Sequence, residues 1–193
     1  MSITKNALCL TSMALACAIT VAPANAAIVI NLNEVGGNIE MDFSGTMDLD
    51  ALHGMFGTFA AYNGLISNLG VLATSGSVDA YNIDPSYSQW TAYGTDGSFF
   101  SWSSTTGDAF ALYSNPALGL YAGYQSGDYT SGTATLLGQS LASAGMITGT
   151  YVTSLTGVSG ATDSVIVNVG TVPAPGALAL LGLAGLATRR RRS

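Results

Sequence analysis

The sequence predicts an all-β protein: one β-sandwich or jelly-roll-like domain, carrying a cleaved N-terminal signal peptide and a short C-terminal transmembrane helix. Three observations lead there. Asn38 to Leu49 alternates strictly, with Ile39, Met41, Phe43, Met47 and Leu49 on one face and Glu40, Asp42, Ser44, Thr46 and Asp48 on the other, the two-residue period of a half-buried strand. Short runs rich in β-branched and aromatic residues recur along the chain between clusters of Gly, Ser, Asp, Asn and Pro. The stretch between the two apolar ends is rich in Gly, Ser, Thr and aromatic residues and holds neither Lys nor Arg.

From the N-terminus, Lys5 supplies a positive start, Ala7 to Ala22 is an uncharged apolar run, and Ala24-Asn25-Ala26 is a small-x-small cleavage site. Residues 1–26 are therefore a signal peptide. The signal peptidase cut falls between Ala26 and Ala27. Cys9 and Cys17 both lie in the removed segment, so the mature chain has no disulfide and no thiolate metal site. Acylation of Cys17 is a weaker alternative, because Leu15 in Ala14-Leu15-Ala16 stands one position too close to the cysteine.

The body spans residues 27–171, enough for one domain with a real core. Ala27 to Glu34 reads as a first strand, Val35-Gly36-Gly37 as a hairpin turn and Asn38 to Leu49 as its partner. Further strands are expected at Ser98 to Trp102, Ala109 to Tyr113, Gly119 to Tyr124, Gly149 to Leu155 and Ser164 to Val169, for about seven to ten in all. Helix is expected only within Ala51 to Leu69, interrupted by Gly54, Gly57 and Gly64, and at Leu136 to Ala144. The linker to the tail lies around Gly170 to Pro175.

Charge narrows the function classes. All eleven Asp and Glu residues fall between Glu34 and Asp163, where there is no basic residue. Such a field repels phosphate backbones and excludes nucleic acid as a partner.

Catalytic residues are sparse. One histidine, His53, and no Cys or Lys in the mature body remove Cys/His dyads, Schiff-base lysines and multi-histidine zinc sites. Gly138-Gln139-Ser140-Leu141-Ala142 resembles a serine-hydrolase elbow but ends in alanine. The carboxylate pairs Glu40/Asp42 and Asp48/Asp50 fall on the polar side of the alternation, where a solvated face outweighs acid–base chemistry or calcium ligation. No catalytic residue, cofactor site or metal site is assigned. All Phe, Trp and Tyr residues lie between Phe43 and Tyr151, and Tyr81, Tyr87, Trp90, Tyr93, Trp102, Tyr121, Tyr124 and Tyr129 stand in polar company. A body without cross-links needs such rings to fill its core. The alternative is an exposed platform on which sugar faces stack.

At the C-terminus, Val172-Pro173-Ala174-Pro175 precedes the apolar run Gly176 to Ala187, Thr188 and the block Arg189, Arg190, Arg191 and Arg192. Pro173 and Pro175 prevent helix from running back through them, so it starts at Gly176. Its twelve apolar residues rise roughly 18 Å against a hydrocarbon core of roughly 30 Å, a marginal span that Val172 to Thr188 and snorkelling arginines extend. The arginines hold the C-terminus in the cytoplasm and leave the body on the far side.

This combination of signal peptide, proline tetrapeptide, short Leu/Ala/Gly helix and terminal arginines resembles the PEP-CTERM sorting signal of bacterial surface proteins, the presumed substrates of exosortase. The resemblance covers residues 172–193. Ala174 stands where that family usually has glutamate. Tyr129 to Ala134, Gly149 to Val152 and Asp163 to Gly170 also look like segments that precede such tails. The resemblance implies processing near Val172 to Pro175 by an exosortase-type enzyme, a membrane-held intermediate, and a destination at the cell surface or extracellular matrix. The function expected is an exported surface or matrix protein with a non-catalytic structural body. The alternative is a module that binds extracellular polysaccharide.

Overall fold

A computed structural model describes residues 27–84, 86 and 90–170. Cys9, Cys17, Ala24, Ala26, Tyr87, Val172, Pro173, Ala174, Pro175 and Arg189 to Arg192 lie outside the described residues. The body is all-β, with thirteen strands among the described residues: β1 (Ala27–Val35), β2 (Asn38–Thr46), β3 (Met55–Ala60), β4 (Gly64–Ile66), β5 (Val71–Ala73), β6 (Ser77–Asn82), β7 (Phe100–Ser101), β8 (Ser104–Gly107), β9 (Phe110–Tyr113), β10 (Ala117–Tyr121), β11 (Tyr129–Leu136), β12 (Gly149–Thr156) and β13 (Thr162–Val169). They form a six-stranded sheet, ordered β12-β13-β1-β2-β11-β8, and a seven-stranded sheet, ordered β3-β6-β10-β9-β5-β4-β7.

The first hairpin forms as its sequence demands. Gly36 and Gly37 have φ of 58° and 79°, the pair of positive values that a two-residue turn needs to match strand twist. Ile39, Met41, Phe43 and Met47 are buried while Glu40 and Asp42 face water. Ile28, Ile30 and Leu32 of β1 join them inside. β1 then pairs in parallel with β13, Ala27 opposite Ser164 and Leu32 opposite Val169. The first and last strands of the body are thus neighbours in the middle of the six-stranded sheet.

The two sheets pack face to face over one apolar core that includes Phe43, Phe110, Leu72, Leu118, Leu120, Val165 and Val167. Phe43 of one sheet stacks on Phe110 of the other, with centroids 5.0 Å apart. The large buried rings hand their polar ends to the backbone. Trp90 Nε1 donates to Ala117 O at 3.2 Å, Trp102 Nε1 to Ala73 O at 2.9 Å, and the Tyr93 hydroxyl to Val71 O at 2.6 Å. Each bond lets an amphipathic ring be buried without leaving a donor unpaired.

Two expectations need correction. Among the described residues no α-helix occupies Ala51 to Leu69. That stretch holds β3, β4 and two single-turn 3₁₀ segments, Leu49–Ala51 and Ser67–Leu69. Leu136 to Ala144 is the end of β11 followed by turns. Gly54, Gly57 and Gly64 weaken helix where extended pairing with residues 71–82 satisfies the same backbone groups. The strand number exceeds the expected seven to ten because β4, β5 and β7 are only two or three residues long, below the length at which alternation is visible in a sequence.

Candidate functional site

Residues 55–82 make one long, bent hairpin. β3 pairs with β6, β4 pairs with β5, and Ala61 N donates to Gly76 O across the bend, at 2.8 Å. The β9–β10 hairpin sits between the two strands of its returning arm, β10 against β6 and β9 against β5. Leu65, Leu72, Leu112, Leu118 and Leu120 point into the main core. The opposite, outer face carries a row of small residues, one from each of the seven strands. Gly57 lies opposite Ala80, then follow Gly119, Ala111, Ala73, Gly64 and Ser101. Directly opposed residues share a face, so the row crosses the outer side of the sheet, where Ala73, Ala80 and Ala111 are themselves fully buried.

Aromatic rings lie down at both ends of this row. A Cβ on Gly57 would stand 2.8 Å from the Phe59 ring, and one on Gly64 would stand 2.5 Å from Cζ of Phe99. Only glycine lets these rings rest on the backbone. Phe56 packs beside Phe59 at 5.6 Å, and Tyr62, in the bend, meets Tyr113 edge-on at 6.2 Å. Ala61 covers the middle of the row, packing on the small buried cluster of Ala73, Val78, Ala109 and Ala111. The rings, with Ile66 and Val71, surround a trough of about 540 Å³ rimmed by Ser114 and Asn115.

The trough is walled by wet apolar rings, and one tyrosine of its lining carries a hydroxyl closed off from solvent. Phe56, Phe59 and Phe99 are 45%, 47% and 52% exposed and Tyr62 is 65% exposed. The Tyr113 hydroxyl is buried and has no hydrogen-bond partner among the described residues. Burial, and then the nearby Tyr62 phenol, push the Tyr113 hydroxyl above the ordinary tyrosine range. It stays a neutral donor and acceptor.

The residues singled out from sequence fall elsewhere. Trp90, Tyr93, Trp102, Tyr81 and Tyr124 are core, whereas Tyr129 is exposed. Glu40 and Asp42 lie on the outer face of the six-stranded sheet. There Asp42 accepts from Asn31 at 2.7 Å, Asn31 from Asn168 at 2.9 Å, and Asn168 from Thr150 at 2.9 Å. Asp48 and Asp50 do not share a strand: Asp48 caps a 3₁₀ turn by accepting from Asp50 N at 3.0 Å. His53 Nε2 lies 3.0 Å from Thr156 O, an ordinary loop contact. No group of His, Cys, Asp and Glu arranged to hold a metal occurs among the described residues.

Phe56, Phe59, Tyr62 and Phe99 were missed because the first three sit in the stretch read as interrupted helix. The available signal was the spacing of phenylalanines one or two residues from glycine in Phe56-Gly57-Thr58-Phe59.

These features define a class: an all-β body of two packed sheets with an aromatic trough on one outer face. No family model, curated protein or solved structure matches the chain.

Proposed function

We propose that this chain is an exported bacterial surface or extracellular-matrix protein, handled by signal peptidase and an exosortase-type enzyme, whose acidic body is a non-catalytic structural module. One relationship carries the reading. The described residues pack as two sheets over one core, and this stretch lies in the sequence between the signal segment and the Val172-Pro173-Ala174-Pro175 tail. The tail passes through a membrane-held intermediate, with Arg189 to Arg192 on the cytoplasmic side. Mass spectrometry of protein recovered outside the cell tests this: the N-terminus is expected at Ala27 and the C-terminus near Val172 to Pro175. An intact Met1 segment, or a lipid on Cys17, overturns the export step. An intact arginine block on extracellular protein overturns tail processing.

The second reading, polysaccharide binding, is favoured by the exposed rings of Phe56, Phe59, Tyr62 and Phe99.

A further inference from the structure

We infer that the free edge of β3 docks a second copy of this chain, the two β3 strands pairing antiparallel about a two-fold axis at Thr58. The inference rests on the body alone and is independent of the export reading. β3 ends the seven-stranded sheet, and among the described residues no strand pairs with its far side. A row of backbone N–H and C=O groups on an edge calls for another extended chain. Charge, proline and shortness are the ordinary guards against such pairing. Met55–Ala60 is six residues long with neither charge nor proline, and Met55, Phe56 and Phe59 are exposed. The register shift between Met55 and Gly57 makes a bulge at Phe56, which limits the addition. Beyond it the strand is regular, with Gly57 opposite Ala80 and Ala60 opposite Ser77.

Self-complementarity names the occupant. With Thr58 opposite its own copy, Phe59 of each chain falls opposite Gly57 of the other, on one face. Each Phe59 ring already lies over its own Gly57, so the two rings come side by side across the axis, within the diagonal reach of cross-strand aromatics. Charge sets the conditions. The body carries eleven acidic residues and no Lys or Arg, so two copies repel unless their carboxylates stand back from the joint. Within the seven strands of this sheet the one acidic residue is Asp79, directly opposite Thr58 on β6. Its carboxylate accepts from the Thr58 hydroxyl at 2.6 Å and from Gly123 N at 2.8 Å. The two Asp79 Cα atoms would stand three strand spacings apart, roughly 14 Å, beyond the screening length of roughly 8 Å at physiological salt. β7, at the other end of the sheet, is two residues long, so pairing through this sheet ends at a dimer.

The test is sedimentation equilibrium of the full chain in density-matched detergent micelles, from about 0.01 M to about 1 M NaCl, across which the screening length falls from roughly 30 Å to roughly 3 Å. A dimer is expected whose dissociation constant falls about tenfold as salt rises. A strand from a basic partner would show the opposite dependence. Phe59→Glu sets like charges across the joint and is expected to weaken the dimer at least about tenfold with an unchanged melting temperature. Directly opposed Cα atoms lie about 4.5–5.5 Å apart, within disulfide reach. In a chain carrying Cys9→Ser and Cys17→Ser, oxidation of Thr58→Cys is therefore expected to link two copies, whereas Thr106→Cys, on the edge strand of the other sheet, stays single. The inference is overturned if the parent is monomeric throughout, if salt weakens the dimer, if Phe59→Glu dimerises like the parent, or if Thr58→Cys crosslinks no more readily than Thr106→Cys.

Discussion

The Tyr124 hydroxyl accepts the Met47 amide proton at 2.6 Å and donates to Asp128 O at 2.6 Å. One buried phenol thus ties the turn after β10 in one sheet to the end of β2 in the other. Tyr124→Phe keeps the ring and its edge-on contact with Tyr121, at 5.3 Å, but orphans the Met47 N–H. A loss of about 1–3 kcal/mol is expected. Urea unfolding with an unchanged m-value checks it, and a midpoint equal to that of the parent refutes it.

Trp102 is 3% exposed and bonded to Ala73 O, so its truncation is a core mutation. Trp102→Ala is expected to cost about 3–5 kcal/mol, a large share of a typical domain's stability. Near-ultraviolet circular dichroism and thermal melting should register the loss. A variant with an undisturbed melt would mean that the ring is not core.

Two carboxylates should respond to acid in opposite directions. Burial raises the Asp163 pKa above 3.8, opposed by the amides of Asp48 and Ser164 and helped by the Asp48 carboxylate. The native state then holds this proton more tightly than the unfolded chain. Its contribution is full below 3.8 and declines as pH rises through the raised native value. The Gly123 amide and the Thr58 hydroxyl hold Asp79 below 3.8. Its stabilisation is present above 3.8 and is lost as pH falls through the native value. Carboxyl-carbon NMR titration should find Asp163 above 3.8 and Asp79 below it, and Asp79→Asn should flatten the acid limb of melting temperature against pH. A reversed order of the two midpoints would refute the assignment.

Deleting Arg189 to Arg192 should weaken the cytoplasmic stop and change how much protein the membrane fraction retains. Unchanged fractionation would show that the arginines do not hold the tail.

Gly64, which lies under the Phe99 ring, gives a steric test. A Cβ there meets both the Phe99 ring and the carbonyl oxygen of Phe100, and the carbonyl cannot move without breaking the pairing of β4 with β7. Gly64→Ala is expected to destabilise by about 1–3 kcal/mol and to swing Phe99 off the sheet. Thermal melting, with the chemical shifts of the Phe99 ring, decides it.

Legibility in the sequence followed strand length and sidedness. β1, β2 and β13 face core on one side and water on the other, so Ile39, Met41 and Phe43 alternate visibly with Glu40 and Asp42. β5, β9 and β10 are covered on both faces: Val71-Leu72-Ala73 and Ala117-Leu118-Gly119-Leu120 are wholly buried, and alternation disappears. The trough was illegible for a further reason. Its rings converge only when residues 55–82 bend around the β9–β10 hairpin, a long-range arrangement that no local period encodes. The burial of Trp90 and Trp102, by contrast, follows from a body that has no cross-link and must fill its interior with large side chains.

The parallel pairing of β1 with β13 also imposes an order in time. β1 is made first and β13 last, yet β13 lies between β1 and β12. A chain ending before Thr162 leaves β1 as a raw edge carrying Ile28, Ile30 and Leu32, a template for pairing with another molecule. Closing a loop of this length is slow compared with making local hairpins. The body therefore matures only when its final strand is delivered, and every shorter version is a candidate for aggregation or proteolysis.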